Sequence, residues 1–105
     1  MPQYELRYFF DPGSGVCLWS ANDDAMERFG YPVNIEALGL SQNLRCSALY
    51  LVHWYDTSID WSSPADPSPW SEEERVRFDT AARSFLGRLR QFLGPDFEIR
   101  DEVEA

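Results

Sequence analysis

The chain contains no lysine. All nine of its basic residues are arginine, they are outnumbered by eighteen aspartates and glutamates, and the formal net charge is −9 at pH 7. This balance argues against direct binding of nucleic acid, which needs clustered cations to contact phosphates. It argues equally against binding to anionic membrane surfaces. The exclusive use of arginine fits either the codon bias of a GC-rich genome or the selection of arginine for bidentate ion pairs with carboxylates on the surface.

Cysteine and histidine are also scarce. Cys17 and Cys46 are too few for a disulfide scaffold, and because each lies in an apolar stretch we expect two buried free thiols. His53 is the only histidine, so any catalytic triad would have to use it. Cys46 lies two helical turns upstream, about 10 Å away by helical rise, which is too far for a hydrogen bond. These residues also supply no closed zinc site. We therefore predict no catalytic residue, no metal and no cofactor.

Long hydrophobic runs are absent as well. Without about eighteen consecutive apolar residues, the sequence predicts no membrane-spanning helix. The N-terminal sequence MPQYELRYFF has neither the basic n-region nor the apolar core of a signal peptide. We therefore expect a cytoplasmic protein. With 105 residues, 44% of them hydrophobic, the chain fits a single domain that spans residues 1–105.

Turn residues and hydrophobic periodicity divide the chain into six elements. Strands are predicted at residues 3–10, 16–19 and 97–103, with the turn DPGSG at 11–15 joining the first two into a hairpin. Helices are predicted from Ser20 or Asn22 to Gly30, over about 42–56 after Ser41, and over about 72–93. Residues 33–40 are predicted to form an irregular connection with one helical turn. The order β-β-α-α-α-β predicts an α+β domain, in which a small antiparallel sheet (the hairpin plus the last strand) packs against about three helices.

The helix at 72–93 has the clearest signals of the chain. Ser71 is placed as its N-cap, and Glu74, three residues later, completes a capping box. The pair Gly94-Pro95 ends it. Its apolar side chains recur at helical spacing and predict one buried stripe, which consists of Phe78, Ala82, Phe85, Leu86, Leu89, Phe92 and Leu93.

Residues 54–74 (WYDTSIDWSSPADPSPWSEEE), which we name the acidic segment, contain no positive charge. They hold six of the eighteen acidic residues and three of the four tryptophans. Pro64, Pro67 and Pro69 prevent a continuous helix or central strand there, so a long loop is predicted at 57–70. Aromatic anchors beside unneutralised carboxylates are typical of a surface that binds a basic protein.

We predict that this partner is contacted by two tryptophans as apolar anchors and by six carboxylates that mimic phosphates. The predicted contact residues are Asp56, Asp60, Trp61, Asp66, Trp70, Glu72, Glu73 and Glu74, helped by Asp23, Asp24 and Glu27. Two structural explanations remain open. The three consecutive glutamates also favour a helix dipole at their position, and each tryptophan could instead fold back to seal the core.

Taken whole, a short acidic domain with an exposed aromatic and acidic surface resembles, in size, charge and style, the immunity proteins of bacterial toxin–immunity systems. The stretches DPGSGVCLWSANDDAMERFGYP and DPSPWSEEER also resemble a small bacterial family without assigned chemistry. The resemblance to immunity proteins implies a protein that neutralises a cognate toxin, often a basic nuclease, by covering its active site or a nearby surface with negative charge. It implies no enzymatic activity.

Two other functions remain open from the residues alone. The first is a structural or adaptor subunit, in which the aromatic surface forms a homodimer and the charge only maintains solubility. The second is a small enzyme that uses Asp56 and Asp60 for general acid–base chemistry. A homodimer would show its size in solution, and an enzyme would need a concave pocket with shifted carboxylate pKa values.

Overall fold

A computed structural model describes residues 2–103 of the chain. Three strands and three α-helices follow one another in the predicted order β-β-α-α-α-β. In chain order they are β1 (Tyr4–Tyr8), β2 (Leu18–Ser20), α1 (Asp23–Phe29), α2 (Gln42–Asp56), α3 (Glu72–Leu93) and β3 (Phe97–Asp101), with a 3₁₀ turn at Ile35–Leu38 between α1 and α2. The α+β class is confirmed, and within the described residues no helix is long and apolar enough to cross a membrane.

The three strands form one sheet with the order β2-β1-β3. The hairpin pair β1–β2 is antiparallel, with Leu6 opposite Ser20, as predicted. The pair β1–β3 is parallel, with Tyr4 opposite Phe97 and Tyr8 opposite Asp101. The sheet is therefore mixed, and the prediction of a wholly antiparallel sheet is wrong for its last strand.

The direction of β3 follows from the path of α3. The Tyr8 hydroxyl, at the end of β1, donates a hydrogen bond to the Ala82 carbonyl in the middle of α3. The C-terminal end of α3 leads through a short turn to Phe97, which lies beside Tyr4 at the start of β1. The helix therefore runs antiparallel to β1, and the turn reverses the chain into the direction of β1. Such a parallel pairing needs a long crossover, which α3 supplies.

The core lies between the sheet and the helices and is lined by alternate residues of β1. Tyr4, Leu6 and Tyr8 point inward, whereas Glu5 and Arg7 lie on the outer face. The buried side chains of the helices complete one hydrophobic cluster: Leu44, Ala48, Leu51 and Val52 of α2, and Phe78, Ala82, Phe85, Leu86 and Leu89 of α3. The predicted stripe of α3 is thus confirmed except at its last turn, where Phe92 is exposed and Leu93 is only partly buried.

The helix ends are formed by the predicted capping residues. The side chains of Asn22, Ser41 and Ser71 accept hydrogen bonds from the backbone N–H three residues later, which satisfies a donor that the first turn leaves unpaired. Gly30 and Gly94 follow the last residues of α1 and α3 with positive φ. The predicted bounds of α2 and α3 are confirmed, while the strands of the hairpin are shorter than predicted and leave residues 9–17 as their connection.

Candidate functional site

The acidic segment is folded into consecutive turns between α2 and α3. The Thr57 backbone N–H donates to the Trp54 carbonyl, which closes α2. The N–H of Ser63 then donates to the Asp60 carbonyl at 2.9 Å, and the N–H of Asp66 donates to the Ser63 carbonyl at 3.0 Å. Turns of this kind satisfy backbone groups within the loop itself. The segment therefore holds its carboxylates on a defined backbone.

Asp56 and Trp61 fasten the acidic segment to the β1–β2 connection. The Gly13 backbone N–H donates to the Asp56 carboxylate at 2.9 Å, and the Trp61 indole N–H donates to the Asp56 carbonyl at 3.0 Å. The Trp61 ring lies directly over Gly13, where a Cβ would come within 3.2 Å of it. Trp61 is nevertheless 57% exposed. It is thus oriented by two contacts and still presents most of its surface outward, as a partner anchor requires.

Trp70 has the opposite placement and is only 8% exposed. Its indole N–H donates to the Thr57 hydroxyl at 2.8 Å, and its ring packs against Tyr55 and Phe78 at centroid distances of 6.0 and 5.2 Å. A side chain with so little free surface cannot anchor a partner on the folded protein. The predicted contact role of Trp70 is therefore corrected to a supporting one, since it closes the core beneath the acidic segment.

Trp54 and Glu74 form a second supporting contact, which the sequence did not predict. The Glu74 backbone N–H donates to the Ser71 hydroxyl at 3.1 Å, as the capping box requires. The Glu74 carboxylate instead accepts the Trp54 indole N–H at 3.0 Å. On its other side Trp54 stacks on Tyr50, with 5.8 Å between ring centroids. Glu74 thus links the end of α2 to the start of α3.

Within the described residues, no ion pair joins a carboxylate of the acidic segment to an arginine. Among residues 2–103, arginine side chains form ion pairs with Glu5, Glu36, Asp79, Asp101 and Glu102, none of which belongs to the segment. Glu72 and Glu73 are exposed in the first turn of α3. The hydroxyl and backbone N–H of Ser62 donate to the Asp60 carboxylate at 2.6 and 3.0 Å, which lowers the pKa of Asp60. Within residues 2–103 this end of the molecule therefore carries carboxylates that pair with no arginine, although Arg77 lies beside Glu72 and Glu73.

Asp23, Asp24 and Glu27 lie away from this surface. They belong to α1, whose cap residue Asn22 bonds to the Gln3 carbonyl beside the start of β1. The acidic segment packs near Phe10, beyond the other end of β1, through the contact of that ring with Tyr55. The four residue steps from Tyr4 to Tyr8 alone separate the two ends by about 13 Å. The three acids of α1 therefore lie outside the surface that the acidic segment itself forms, and their help in binding the partner stays a prediction.

The candidate catalytic residues are not brought together. His53 and Cys46 both lie exposed on the outer side of α2, so the prediction of a buried thiol is wrong for Cys46, which faces away from the core. It is confirmed for Cys17, whose thiol has a pKa raised to about 12 by burial. The lowered pKa of Asp60 keeps its carboxylate ionised, which does not suit a general acid at neutral pH. No three His, Cys, Asp or Glu side chains converge on a metal position within residues 2–103.

Comparison with known families adds one match. Residues 4–100 match the model of a family described as Serratia CdiI immunity protein-like. No curated protein matches the chain. The matched range contains the whole acidic segment and all three helices, and the resemblance to immunity proteins inferred from the sequence is thereby confirmed.

Proposed function

Because the match spans nearly its whole length, this chain belongs to the Serratia CdiI immunity protein-like family, and we propose that it neutralises a cognate toxin by binding it through the acidic segment. The proposed inhibitor carries out no reaction of its own. It blocks the toxin by occupying its active site or a surface beside it.

The negative charge of the acidic segment, which no ion pair within residues 2–103 joins to an arginine, is the observation that supports this proposal most. The arginines described in ion pairs all bind acids elsewhere, although the chain has a net charge of −9. Asp56, Asp60 and Glu74 accept hydrogen bonds within the fold. Glu72 and Glu73 favour the dipole of α3. The mutual repulsion of these carboxylates nevertheless destabilises a compact protein when no cation lies between them. A cationic partner would gain from these carboxylates, because complementary charge accelerates encounter and excludes wrong partners. We therefore propose that the toxin presents a basic surface.

We assign some residues of the acidic segment to contact with the toxin and others to support of its shape. Trp61 is the exposed apolar anchor, and the acids around it steer and pair with the cations of the toxin. Trp70, Glu74 and the Asp56 contact with Gly13 hold the segment in the bound shape before the partner arrives. Such preorganisation lowers the entropy that binding must overcome.

A nuclease is the kind of toxin that this surface suits best. Enzymes that cleave nucleic acid bind phosphates with arginine and lysine, and fixed carboxylates can take the place of those phosphates. We further propose that the encounter takes place in the cytoplasm. The described cysteines are both free thiols, which suits a reducing compartment.

Because an immunity gene follows the gene of its toxin, we expect the toxin to be the product of the gene immediately upstream, and co-expression with that product tests the proposal. We expect a complex that survives purification at about 0.1 M salt, where charges are screened over about 10 Å, and weakens toward 1 M, where screening acts within about 3 Å. Two triple variants separate the surface from the overall charge. The test variant neutralises the acidic segment and the control removes the same charge from α1: Asp60→Asn, Asp66→Asn and Glu73→Gln against Asp23→Asn, Asp24→Asn and Glu27→Gln.

We expect the test variant to lower the association rate constant roughly tenfold, and the control to change it little. Failure of the wild-type protein to bind, together with a stable homodimer, would replace the proposal with the structural-subunit hypothesis. If the two triple variants lower the association rate constant equally, the protein would still be an inhibitor, but the acidic segment would be rejected as its contact surface.

A further inference from the structure

Helix α2 is apolar on two sides, only one of which the core uses. Its inner side is buried through Leu44, Ala48, Leu51 and Val52. Its outer side exposes a second set at positions 46, 49, 50 and 53, which consists of Cys46, Leu49, Tyr50 and His53. This spacing of three, four and seven residues places the four side chains on one continuous stripe.

The two central residues of this stripe are strongly exposed. Leu49 is 47% exposed and Tyr50 is 60% exposed, although they are neighbours on a well-formed helix. Single exposed apolar residues are normal on a protein surface, but adjacent large ones mark contact sites more often. The stacking of Tyr50 on Trp54, at an interplanar angle of 18°, restricts its rotamers. The fold thus presents a rigid aromatic side chain to solvent.

Hydrogen bonds and ring contacts connect the stripe to the acidic segment. Tyr50 stacks on Trp54, and Trp54 donates to Glu74 in the first turn of α3, next to Glu72 and Glu73. On the other side, Leu49 lines a cleft of about 350 Å³ together with Val33 and Ile35. The ion pair between Arg45 and Glu36 lines the same cleft, so its charges are balanced there. The apolar stripe therefore continues into a cleft on one side and into the carboxylates of the acidic segment on the other.

We propose that the outer face of α2, centred on Leu49 and Tyr50, forms the apolar centre of the interface with the cationic toxin together with Trp61, and that the carboxylates of the acidic segment are its charged rim. This inference rests on the function proposed above. It follows the usual arrangement of protein interfaces, in which a few aromatic and aliphatic anchors in the middle carry most of the energy and charges surround them.

Charge decides between a toxin and a second copy of this chain as the occupant. A two-fold dimer through α2 would place the same surface of both copies together. Each copy carries a net charge of −9, so a dimer would bring two like-charged surfaces together and its carboxylates would gain no cationic partner. A basic partner would instead pair with them. The chemistry of the rim therefore selects a cationic protein.

Alanine variants with a matched control test the inference. Tyr50→Ala and Leu49→Ala remove the proposed anchors, and Phe92→Ala removes a side chain at the end of α3 that is as exposed as Leu49, at 47%. Binding is measured to the purified toxin domain encoded upstream. We expect Tyr50→Ala to raise Kd at least thirtyfold and Leu49→Ala at least tenfold, mainly through faster dissociation, with an unchanged salt dependence. Phe92→Ala should stay within twofold.

If the wild-type protein binds the toxin and neither Tyr50→Ala nor Leu49→Ala changes Kd by more than twofold, the inference is overturned and the proposed function stays intact. A wild-type protein that does not bind the toxin would overturn both. Circular dichroism and thermal melting of each variant show whether it is folded.

Cys46 provides a second measurement that needs no variant. Its thiol is exposed on the same stripe, whereas Cys17 is buried, so a maleimide should label Cys46 alone in the native protein. We expect saturating toxin to slow this labelling at least tenfold. An unchanged rate in the complex would overturn the inference. Slowed labelling with rising protein concentration in the absence of toxin would overturn it in favour of a second copy.

Discussion

Trp61 and Trp70 should respond to truncation in opposite ways. They are nine residues apart in one acidic segment, but Trp61 is 57% exposed and Trp70 is 8% exposed. We expect Trp70→Ala to lower the free energy of unfolding with little direct effect on the contact surface. We expect Trp61→Ala to weaken toxin binding with little effect on folding.

The expected magnitudes follow from the contacts of each ring. Trp70 packs among Trp54, Tyr55 and Phe78 and donates to the Thr57 hydroxyl. Truncation of a buried tryptophan to alanine costs about 3–5 kcal/mol, a large part of the roughly 5–15 kcal/mol that stabilises a domain. Trp61 would lose one exposed hydrogen bond and its contact with Gly13, for which about 0.5–1.5 kcal/mol is expected.

Urea unfolding followed by circular dichroism at 222 nm measures the stability of both variants, because that signal does not depend on the tryptophan removed. Binding to the toxin domain is measured under conditions in which each variant is folded. Trp61→Ala should raise Kd about thirtyfold or more, as expected of an interface anchor. A Trp70→Ala variant that loses less than about 1 kcal/mol of stability would refute the reasoning. So would a Trp61→Ala variant that is destabilised as strongly as Trp70→Ala.

Three further outcomes are expected. Gly13→Ala should destabilise the protein by about 1 kcal/mol more than Gly15→Ala in chemical unfolding, because both glycines have positive φ but only Gly13 faces an indole ring; equal losses would exclude that contact. One thiol per chain, Cys46, should react with a disulfide reagent at pH 8 in the native state and two in denaturant, because burial raises the pKa of Cys17 to about 12; two fast native thiols would contradict this. Arg7 donates a hydrogen bond to the Glu102 carboxylate, which is the main cause of the lowered pKa of Glu102. The pair therefore stabilises the protein above the ordinary glutamate pKa of 4.5, and this stabilisation is lost as the pH falls through the lower pKa of the folded state. Glu102→Gln should therefore flatten the decline of the melting temperature between about pH 5 and pH 3, and an unchanged decline would show that the pair contributes nothing.

Local signals in the sequence were sufficient for the helices. Ser41 and Ser71 stand where α2 and α3 begin, and Gly94 stands where α3 ends, so the start of α2 and both ends of α3 could be predicted without tertiary information. The direction of β3 had no such signal. It depends on α3 crossing the sheet antiparallel to β1, and that crossing is fixed by contacts such as Tyr8 with Ala82, which are distant in sequence.

The acidic segment was recognisable from composition, but the exposure of its side chains was not. A loop without periodicity does not indicate which tryptophan faces inward, and the answer depends on the packing of Trp70 against Phe78. On α2 the sequence contains two apolar stripes, one through Leu44 and Ala48 and one through Cys46 and Tyr50. Helical spacing favours the first stripe, which continues through Leu51, and the core buries its three residues. The sequence does not show what, if anything, covers the second.

The dependence of the association rate constant on salt tests the central claim most directly. Wild-type protein and the Asp60→Asn, Asp66→Asn, Glu73→Gln variant would be mixed with the upstream-encoded toxin domain at several salt concentrations from about 0.05 to 0.5 M. The account predicts a steep fall for the wild type, a shallower fall for the variant, and convergence of the two at high salt, because screening removes the same attraction that the substitutions remove. Parallel salt dependences for the two proteins would contradict the claim that the acidic segment attracts the toxin.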